Sequence, residues 1–190
     1  MKKYGIYYLG ISLLMLLLVE TSCKKEEAQA PIIVPSTNYI KYNGMTAPIS
    51  MGILTNNGSA GSNSFNTDLY LYNGFTLHES NNQMDSLSGT GNLLYFSMFS
   101  SQGEKLDSGD YNFDPDYTLV PKTFAAGVVF LNYNIQIGSG IMSVVDGVVS
   151  VISNDTIYEI NFSGYDEEGS VVSMHYKGEL KYFDESKKGL

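Results

Sequence analysis

The feature that most constrains this chain is a two-residue alternation of apolar and polar side chains from Thr37 onward. It is clearest over residues 156–164, where three apolar residues face one way and three polar residues the other: Tyr158, Ile160 and Phe162 against Glu159, Asn161 and Ser163. Side chains alternate between the faces of a β-strand, whereas a helix repeats every 3.6 residues. The pattern therefore predicts a strand with one buried face.

A second strand is predicted over residues 171–182, with an apolar face made of Val172, Met174, Tyr176, Leu180 and Tyr182. Residues 166–169 lie between the two strands and supply a turn, with Gly169 at the position where a positive φ is expected. The two segments together predict a β-hairpin.

The same alternation predicts further strands at residues 69–78 and 129–137. A continuous apolar run predicts a covered strand at 93–99, a β-branched run predicts one at 148–152, and weaker strands are predicted at 38–42 and 49–54. Residues 56–64, with the sequence NNGSAGSNS, are predicted to form a loop. We find no helical amphipathicity after the amino-terminal segment. About eight to ten strands in one domain, residues 37–190, predict an all-β fold, either an antiparallel β-sandwich or a barrel.

Composition excludes several classes of protein. The chain of 190 residues has a net charge of −9, and its 11 cationic residues are all Lys. Because binding to phosphates needs clustered cations, the sequence predicts no nucleic-acid partner. The single Cys excludes a framework of internal disulfides and a Cys-based zinc site, and no cofactor motif is present.

The amino terminus has the features of an export signal. Lys2 and Lys3 precede an apolar run of 14 residues, 6–19, which is shorter than a transmembrane helix requires. The single Cys of the chain, Cys23, stands where the signal would end. Residues 24–36 contain two Pro and four charged residues and are predicted to form a flexible tether.

Thr21, Ser22 and Cys23 resemble the end of a bacterial lipoprotein signal, in which the Cys is lipidated and becomes the first mature residue. The next four residues resemble the export tag of surface lipoproteins from Bacteroidota-type bacteria: Lys24, Lys25, Glu26 and Glu27. The resemblance implies a signal peptide over residues 1–22, a palmitate-type lipid on Cys23, and an outer-membrane protein exposed at the cell surface. An uncleaved anchor and a plain secretory signal are the alternatives.

A second resemblance concerns the domain. An L-x-x-G-x-Y-x-F segment at residues 106–113, followed by the segments 146–151, 158–162, 166–169 and 176–180, is similar to the carboxy-terminal half of many small all-β lipoproteins of the same bacteria. This resemblance implies a fold and a location, and it transfers no catalytic residue.

One candidate ligand face lies on the strand predicted over residues 69–78. Tyr70, Tyr72, Thr76 and His78 alternate with the apolar residues there, and Tyr rings mixed with hydroxyls are suited to stacking on a neutral glycan. The alternative is that these Tyr rings cover a second packed layer. His78 and His175 are the only two His and lie in no catalytic or metal motif.

A candidate calcium site is formed by oxygen-bearing side chains at every second position: Asp110, Asn112, Asp114 and Asp116. Pro115 and Pro121 replace residues that an EF-hand loop requires, so the alternative is an edge strand with Tyr111 and Phe113 facing inward. Ser86 and Thr156 follow Asp and precede an aliphatic residue, and these tripeptides resemble O-glycosylation acceptors of the same bacteria.

These observations predict a surface lipoprotein, anchored to the membrane by a lipid on Cys23, with a non-enzymatic binding or accessory domain. A neutral glycan or a protein is the expected partner, since an acidic surface repels anions. Two alternatives stay open: a hydrolase that uses paired carboxylates, and a structural surface component that assembles by strand addition.

The role of Cys23 is tested by the substitution Cys23→Ala. Because the chain has one Cys and the lipid requires its thiol, the variant should lose fatty-acid labelling and leave the membrane fraction. Metabolic labelling with a fatty acid, followed by fractionation, measures both effects. Labelling that survives the substitution would contradict the lipoprotein prediction.

Overall fold

A computed structural model describes residues 37–61, 63–138 and 141–187. These ranges contain eleven strands and no helix, which confirms the all-β prediction: β1 (Tyr39–Tyr42), β2 (Met45–Pro48), β3 (Met51–Gly61), β4 (Ser64–Ser80), β5 (Gln83–Ser100), β6 (Gly109–Phe113), β7 (Thr123–Asn134), β8 (Met142–Asn154), β9 (Tyr158–Asp166), β10 (Val171–Gly178) and β11 (Lys181–Asp184). The predicted signal, Cys23, the export tag and the tether lie outside the described residues.

All eleven strands belong to one sheet, in the order β11-β3-β4-β5-β7-β6-β8-β9-β10-β1-β2. Neighbouring strands are antiparallel, except that β11 pairs with β3 and β6 with β7 in parallel. The sequence predicts fewer strands partly because β2 and β11 contain only four residues each. Four residues carry two alternations, which is too little pattern to identify a strand.

The sheet rolls up because one chain segment bonds to both of its sides. Only Ile49 and Ser50 separate β2 from β3. The Ile49 N–H donates to the carbonyl of Asn38, next to β1, at 3.2 Å, and the Ser50 N–H donates to the carbonyl of Tyr72 in β4 at 3.0 Å. β2 therefore extends the sheet beyond β1 at one end, whereas β3 pairs with β4 near the opposite end of the same sheet. The two ends meet at residues 49 and 50, and the fold is barrel-like.

The main hydrophobic core fills the inside of the rolled sheet. The predicted inward faces of β9 and β10 are confirmed, since the following residues are all buried there: Tyr158, Ile160, Phe162, Val172, Met174 and Tyr176. The rings of Phe96, Phe124 and Phe162 meet in this core with centroid distances between 4.8 and 6.2 Å. Burial of a large apolar side chain contributes roughly 1.5–3 kcal/mol, so these residues stabilise the closed sheet.

The strand predicted over residues 171–182 is wrong beyond Gly178. β10 ends at that residue, and the Tyr176 hydroxyl donates to the carbonyl of Glu179 at 2.6 Å in the turn that follows. The chain then continues into β11, which runs parallel to β3 at the other end of the sheet. The alternation of apolar and polar residues in the sequence continues from β10 into β11. It therefore does not indicate that the chain leaves β9 and pairs with β3 instead.

The loop predicted over residues 56–64 is also wrong. β3 continues to Gly61 and β4 begins at Ser64, with two irregularities in their register. The amide of Asn57 donates to Asn66 at 2.6 Å and to Asp68 at 2.8 Å across the two strands. These side-chain bonds stabilise a paired arm in a segment whose composition is typical of a loop.

The strand predicted over residues 129–137 ends early. β7 stops at Asn134, and Asn132 has a φ of +49°, which interrupts the alternation. Ile135 and Ile137 follow the strand and are exposed. Their apolar character continues the pattern in sequence, but they contribute nothing to the core.

A second hydrophobic cluster lies on the outer side of the sheet. Its buried members are Ile53, Tyr72, Phe75, Leu93 and Phe183, and partly buried side chains pack against them: Tyr70, Leu77, Met84, Leu87, Tyr95, Phe130 and Tyr133. This set is named the outer cluster. Since Leu77, Met84 and Leu87 belong to the distal half of the β4–β5 hairpin, that half lies over the outer face of the sheet.

A bend in the middle of the β4–β5 hairpin turns its distal half onto the outer face. The register shifts between Asn73 and Phe75, and Gly74 between them has a φ of +87°. A Cβ on Gly74 would lie only 2.8 Å from the carbonyl oxygen of Thr90. Glycine is therefore required at the bend, both for its backbone conformation and for the close approach of the two strands.

The bend is tested by Gly74→Ala with Gly44→Ala as a matched control. Gly44 also has a positive φ, +79°, but a Cβ there would meet no atom within 4 Å. The control should cost about 1–2 kcal/mol through its backbone conformation alone. Gly74→Ala should cost at least about twice as much, because the strands must also separate. Thermal denaturation measures both, and equal losses would contradict the proposed close approach.

Candidate functional site

A cleft of about 320 Å³ opens on the outer face of the sheet, where the bent hairpin stops covering it. It is lined by residues from four elements: Thr55 and Asn57 of β3, Tyr70 of β4, Met84 and Asp85 of β5, and Glu185 immediately after β11. This site is named the outer-face cleft. Its volume is at the lower end of the range for small-molecule sites.

The tip of the hairpin is held over the sheet by residues of β11 and the segment after it. The Glu185 carboxylate accepts a hydrogen bond from the Met84 N–H at 2.7 Å. Lys181 forms an ion pair with Glu79 on the hairpin. These contacts hold the hairpin residues that line the outer-face cleft, Met84 and Asp85, in place over the residues of β3 and β4 that line it.

Aromatic rings and a carboxylate form the region beneath the outer-face cleft. The rings of Tyr70 and Tyr95 lie 5.0 Å apart between centroids. Asp68 accepts hydrogen bonds from the Tyr95 hydroxyl at 3.0 Å and from the Asn57 amide at 2.8 Å. Burial raises the pKa of the Asp68 carboxyl, while these hydrogen bonds act in the opposite direction. Burial and the charges of Asp68 and Glu185 raise the pKa of Tyr70, so it stays a neutral phenol.

One polar atom of β3 is available to a ligand in the outer-face cleft, and a second is buried beside it. Both hydrogens of the Asn57 amide are donated to Asn66 and Asp68, so this side chain offers a ligand only its carbonyl Oδ1. Thr55 is 3 % exposed, and its buried Oγ1 has no hydrogen-bond partner among the described residues. Such a hydroxyl departs from the rule that buried polar groups are hydrogen-bonded.

The predicted ligand face of Tyr70, Tyr72, Thr76 and His78 is wrong as a group. The register shift at the bend moves Phe75 to the face of Tyr70 and Tyr72, and leaves Thr76 and His78 on the opposite face. Tyr72 is 2 % exposed in the outer cluster, so it is a packed residue. Of the four, only Tyr70 lines the outer-face cleft.

Sequence reasoning missed the other residues of the outer-face cleft. Thr55 and Asn57 lie where a strand end and a loop were predicted, and Glu185 follows a strand that the alternation does not separate from β10. One signal was present in the sequence. Gly74 lies inside the strand predicted over residues 69–78, and a Gly within a strand is typical of a bulge or a sharp bend.

The candidate calcium residues are not brought together. Asp114 is buried and accepts hydrogen bonds from the N–H of Thr118 at 2.7 Å and from its hydroxyl at 2.6 Å. Asp110 accepts from the Ser150 hydroxyl at 2.6 Å on the exposed face of β6. In residues 37–187, apart from the undescribed positions, no group of three or more His, Cys, Asp or Glu side chains is placed to hold a metal ion.

The alternative to the calcium site was an edge strand with Tyr111 and Phe113 facing inward, and the structure agrees with that prediction only in part. Tyr111 is fully buried and Phe113 is half-buried against the core, as expected for inward-facing residues. However, β6 lies between β7 and β8 and is not an edge strand.

The remaining candidates lie apart from the outer-face cleft. His78 is exposed, with its Nε2 at 2.7 Å from the Ser88 hydroxyl, and Nδ1 of His175 lies 2.7 Å from Oδ1 of Asn161. Ser86 and Thr156 are both exposed, the former on β5 and the latter in the bend between β8 and β9. Both hydroxyls are therefore accessible to a modifying enzyme.

No protein-family model, curated protein or solved structure matches the chain. Among the residues that the structure describes, there is also no helix with the length and apolarity to cross a membrane. The function is therefore inferred from the chemistry of the outer-face cleft and from the sequence.

The unpartnered hydroxyl predicts an unusual effect of Thr55→Val. The substitution keeps the shape of the side chain and removes a polar group that nothing in the described protein satisfies, so the variant should be as stable as the wild type or about 1–2 kcal/mol more stable.

The control for this test is Thr67→Val on the adjacent strand. Thr67 is also fully buried, but its hydroxyl donates to the carbonyl of Met98 at 3.4 Å. This variant should lose about 0.5–1.5 kcal/mol. Denaturant unfolding measures both variants, and an equal destabilisation by the two would show that the Thr55 hydroxyl has a partner in the folded protein.

Proposed function

We propose that this protein is a lipid-anchored lipoprotein of the outer-membrane surface, and that its β domain binds carbohydrate in the outer-face cleft without catalysing a reaction. The observation that supports the proposal most is the Tyr70 ring in a cleft that also contains the carboxylates of Asp85 and Glu185. The apolar face of a sugar packs against the ring, and its hydroxyl groups donate hydrogen bonds to carboxylate oxygens.

The charges of the protein favour an uncharged or cationic carbohydrate over an anionic one. The chain carries a net charge of −9, and the two carboxylic acids that line the outer-face cleft are Asp85 and Glu185, while Tyr70 stays neutral. An anionic polymer would be repelled at low ionic strength. A sugar, in contrast, donates hydroxyl hydrogens to carboxylate oxygens, and such charge-assisted bonds are stronger than neutral ones.

The predicted anchor suits a domain that binds extracellular polymers, because a lipid on Cys23 and the predicted export tag would hold the protein at the cell surface.

A hydrolase with paired carboxylates is a second candidate, because burial raises the pKa of Asp68, as expected of a general acid. However, Asp68 accepts hydrogen bonds from Tyr95 and Asn57, and these bonds stabilise its ionised form. The hydrogen bonds favour a structural role for Asp68, and therefore favour binding over catalysis.

Assembly by strand addition has less support. The outermost strand β2 has four residues and ends with Pro48, which lacks the N–H that a further strand would need. Short strands and edge prolines are common means of preventing pairing between protein molecules.

Carbohydrate binding is tested with the full chain, solubilised in detergent, by affinity gel electrophoresis against a panel of neutral and amino polysaccharides. At least one polysaccharide should retard the wild type, and Tyr70→Ala should abolish the retardation because the ring and hydroxyl of the cleft are lost. The control Tyr165→Ala removes an exposed Tyr outside the cleft and should bind normally.

Two results would contradict this proposal. The absence of retardation by every polysaccharide of the panel would remove the carbohydrate ligand. The appearance of shortened oligosaccharides after incubation with the wild type, and not with Asp68→Asn, would replace binding by hydrolysis.

A further inference from the structure

A second cavity, of about 530 Å³, opens on the outer face of the sheet around β1, at the other end of the strand order from β3 and β4. Its lining comes from the β1–β2 hairpin and from the beginning of β10, and includes Lys41, Tyr42, Thr46, Ser170, Val171 and Ser173. This site is named the β1 groove. It is larger than the outer-face cleft, shares no lining residue with it, and has a volume typical of small-molecule sites.

The strand register places three groups that donate hydrogen bonds side by side in the β1 groove. Lys41 is paired with Thr46 of β2 and with Ser173 of β10. Their side chains stand on the outer face of the sheet, because Ile40 and Tyr42, the neighbours of Lys41 in β1, are buried in the core. Residues directly opposite each other lie about 5 Å apart at Cβ, so an ammonium flanked by two hydroxyls spans about 10 Å.

The β1 groove carries a positive charge that no acid of its lining compensates. Lys41 is its one Lys, and the lining contains no Asp or Glu. Among the described residues Lys41 forms no ion pair, whereas Lys177 and Lys181 each bind a Glu. The Lys41 nitrogen lies 5.4 Å from the centroid of the Tyr39 ring, and such a contact is weak at an exposed site. The charge of Lys41 is therefore available to an anion.

The acids of the turn before β10 do not change this conclusion. Asp166 lies behind Tyr42, and its carboxylate is already satisfied by donors. It accepts hydrogen bonds from the Tyr42 hydroxyl at 2.6 Å and from the N–H groups of Glu168 and Ser170 at 3.0 and 2.7 Å. Two exposed acids of the turn lie outside the lining: Glu167 and Glu168. Salt screens exposed charges over about 8 Å at physiological ionic strength.

We propose that the β1 groove binds the carboxylate group of an acidic sugar, such as a hexuronic acid, at a site separate from the outer-face cleft. The Lys41 ammonium holds the carboxylate through a charge-assisted hydrogen bond. The flanking hydroxyls of Thr46 and Ser173 donate to the carboxylate oxygens or bind the sugar hydroxyls. Val171 is 57 % exposed in the groove and gives the apolar face of the sugar ring a surface to pack against.

The carboxylate of a sugar fits the β1 groove better than a phosphate or an acidic peptide. A phosphate group carries almost two negative charges at neutral pH, whereas the groove has one Lys and the chain has no Arg and a net charge of −9. An extended peptide would add its backbone to the free edge of β2, but that strand has four residues and ends at Pro48. The hydroxyl groups of the lining instead match those of a sugar.

The test is isothermal titration of the full chain in detergent, near physiological ionic strength, with three probes: tetragalacturonate, its fully methyl-esterified form, and a tetraglutamate peptide. Esterification removes the charge and keeps the sugar, so the wild type should bind tetragalacturonate at least about tenfold more tightly than the ester. Lys41→Gln should remove this preference and melt at the wild-type temperature, because Lys41 is exposed. The matched control Lys105→Gln removes another exposed Lys, changes the net charge equally and should keep the preference.

Two further variants locate the site. Ser173→Ala removes a flanking hydroxyl from the β1 groove and should weaken the binding of tetragalacturonate by about two- to tenfold. Tyr70→Ala changes the outer-face cleft and leaves the groove intact, so it should bind tetragalacturonate as the wild type does.

Equal affinity for tetragalacturonate and its ester would overturn the inference, and so would an equal loss of preference in Lys105→Gln. Loss of tetragalacturonate binding in Tyr70→Ala would assign the acidic sugar to the outer-face cleft, which overturns the inference and leaves carbohydrate binding in place. Tighter binding of tetraglutamate than of tetragalacturonate would assign the β1 groove to an acidic protein partner and would overturn it as well. Failure of the proposed function would appear instead as the absence of retardation by neutral and amino polysaccharides.

Discussion

The fold depends on its closure at Ile49 and Ser50, where one short segment bonds to strands near both ends of the sheet. The β2–β3 segment bonds to β1 on one side of this point and to β4 on the other. Gly52 permits the approach, because a Cβ there would lie 2.9 Å from the Tyr176 hydroxyl. The main core depends on this closure, since inward faces from both halves of the chain meet only when the sheet is rolled.

Closure also determines where the candidate site lies. A rolled sheet buries one face of each strand, and its other face is usually polar. The outer faces of β3, β4 and β5 are instead apolar or aromatic, as Ile53 and Tyr72 illustrate. The chain covers them with its own hairpin, bent at Gly74, and with Phe183 of β11. The outer-face cleft exists because this cover ends at Met84, before it reaches the polar end of β3.

The alternation of the sequence predicts β9 and the first part of β10, because these two strands pair with each other without a shift in register. A continuous apolar run predicts residues 93–99, the covered part of β5. The alternation gives a wrong prediction where the backbone bends or the chain changes its partner strand while the types of residue stay the same. At Gly74 a single extra residue places Tyr72 with Phe75 and separates it from His78. The position of Glu185 depends on a parallel pairing between β11 and β3, and no local pattern in the sequence specifies that partner.

The groups that locate the candidate site are ones that the stability of the fold explains only in part. Val at position 55 would fill nearly the same space as Thr and would need no hydrogen-bond partner, yet a hydroxyl is buried there. Asp85 and Glu185 place like charges in one cleft, which tends to destabilise the folded state, although Glu185 also accepts the hydrogen bond from Met84 that holds the hairpin. Sequences depart from such local rules mainly at functional sites. The Tyr70 ring beside these acids favours a ligand that packs an apolar face in the cleft and donates hydrogen bonds to carboxylate oxygens.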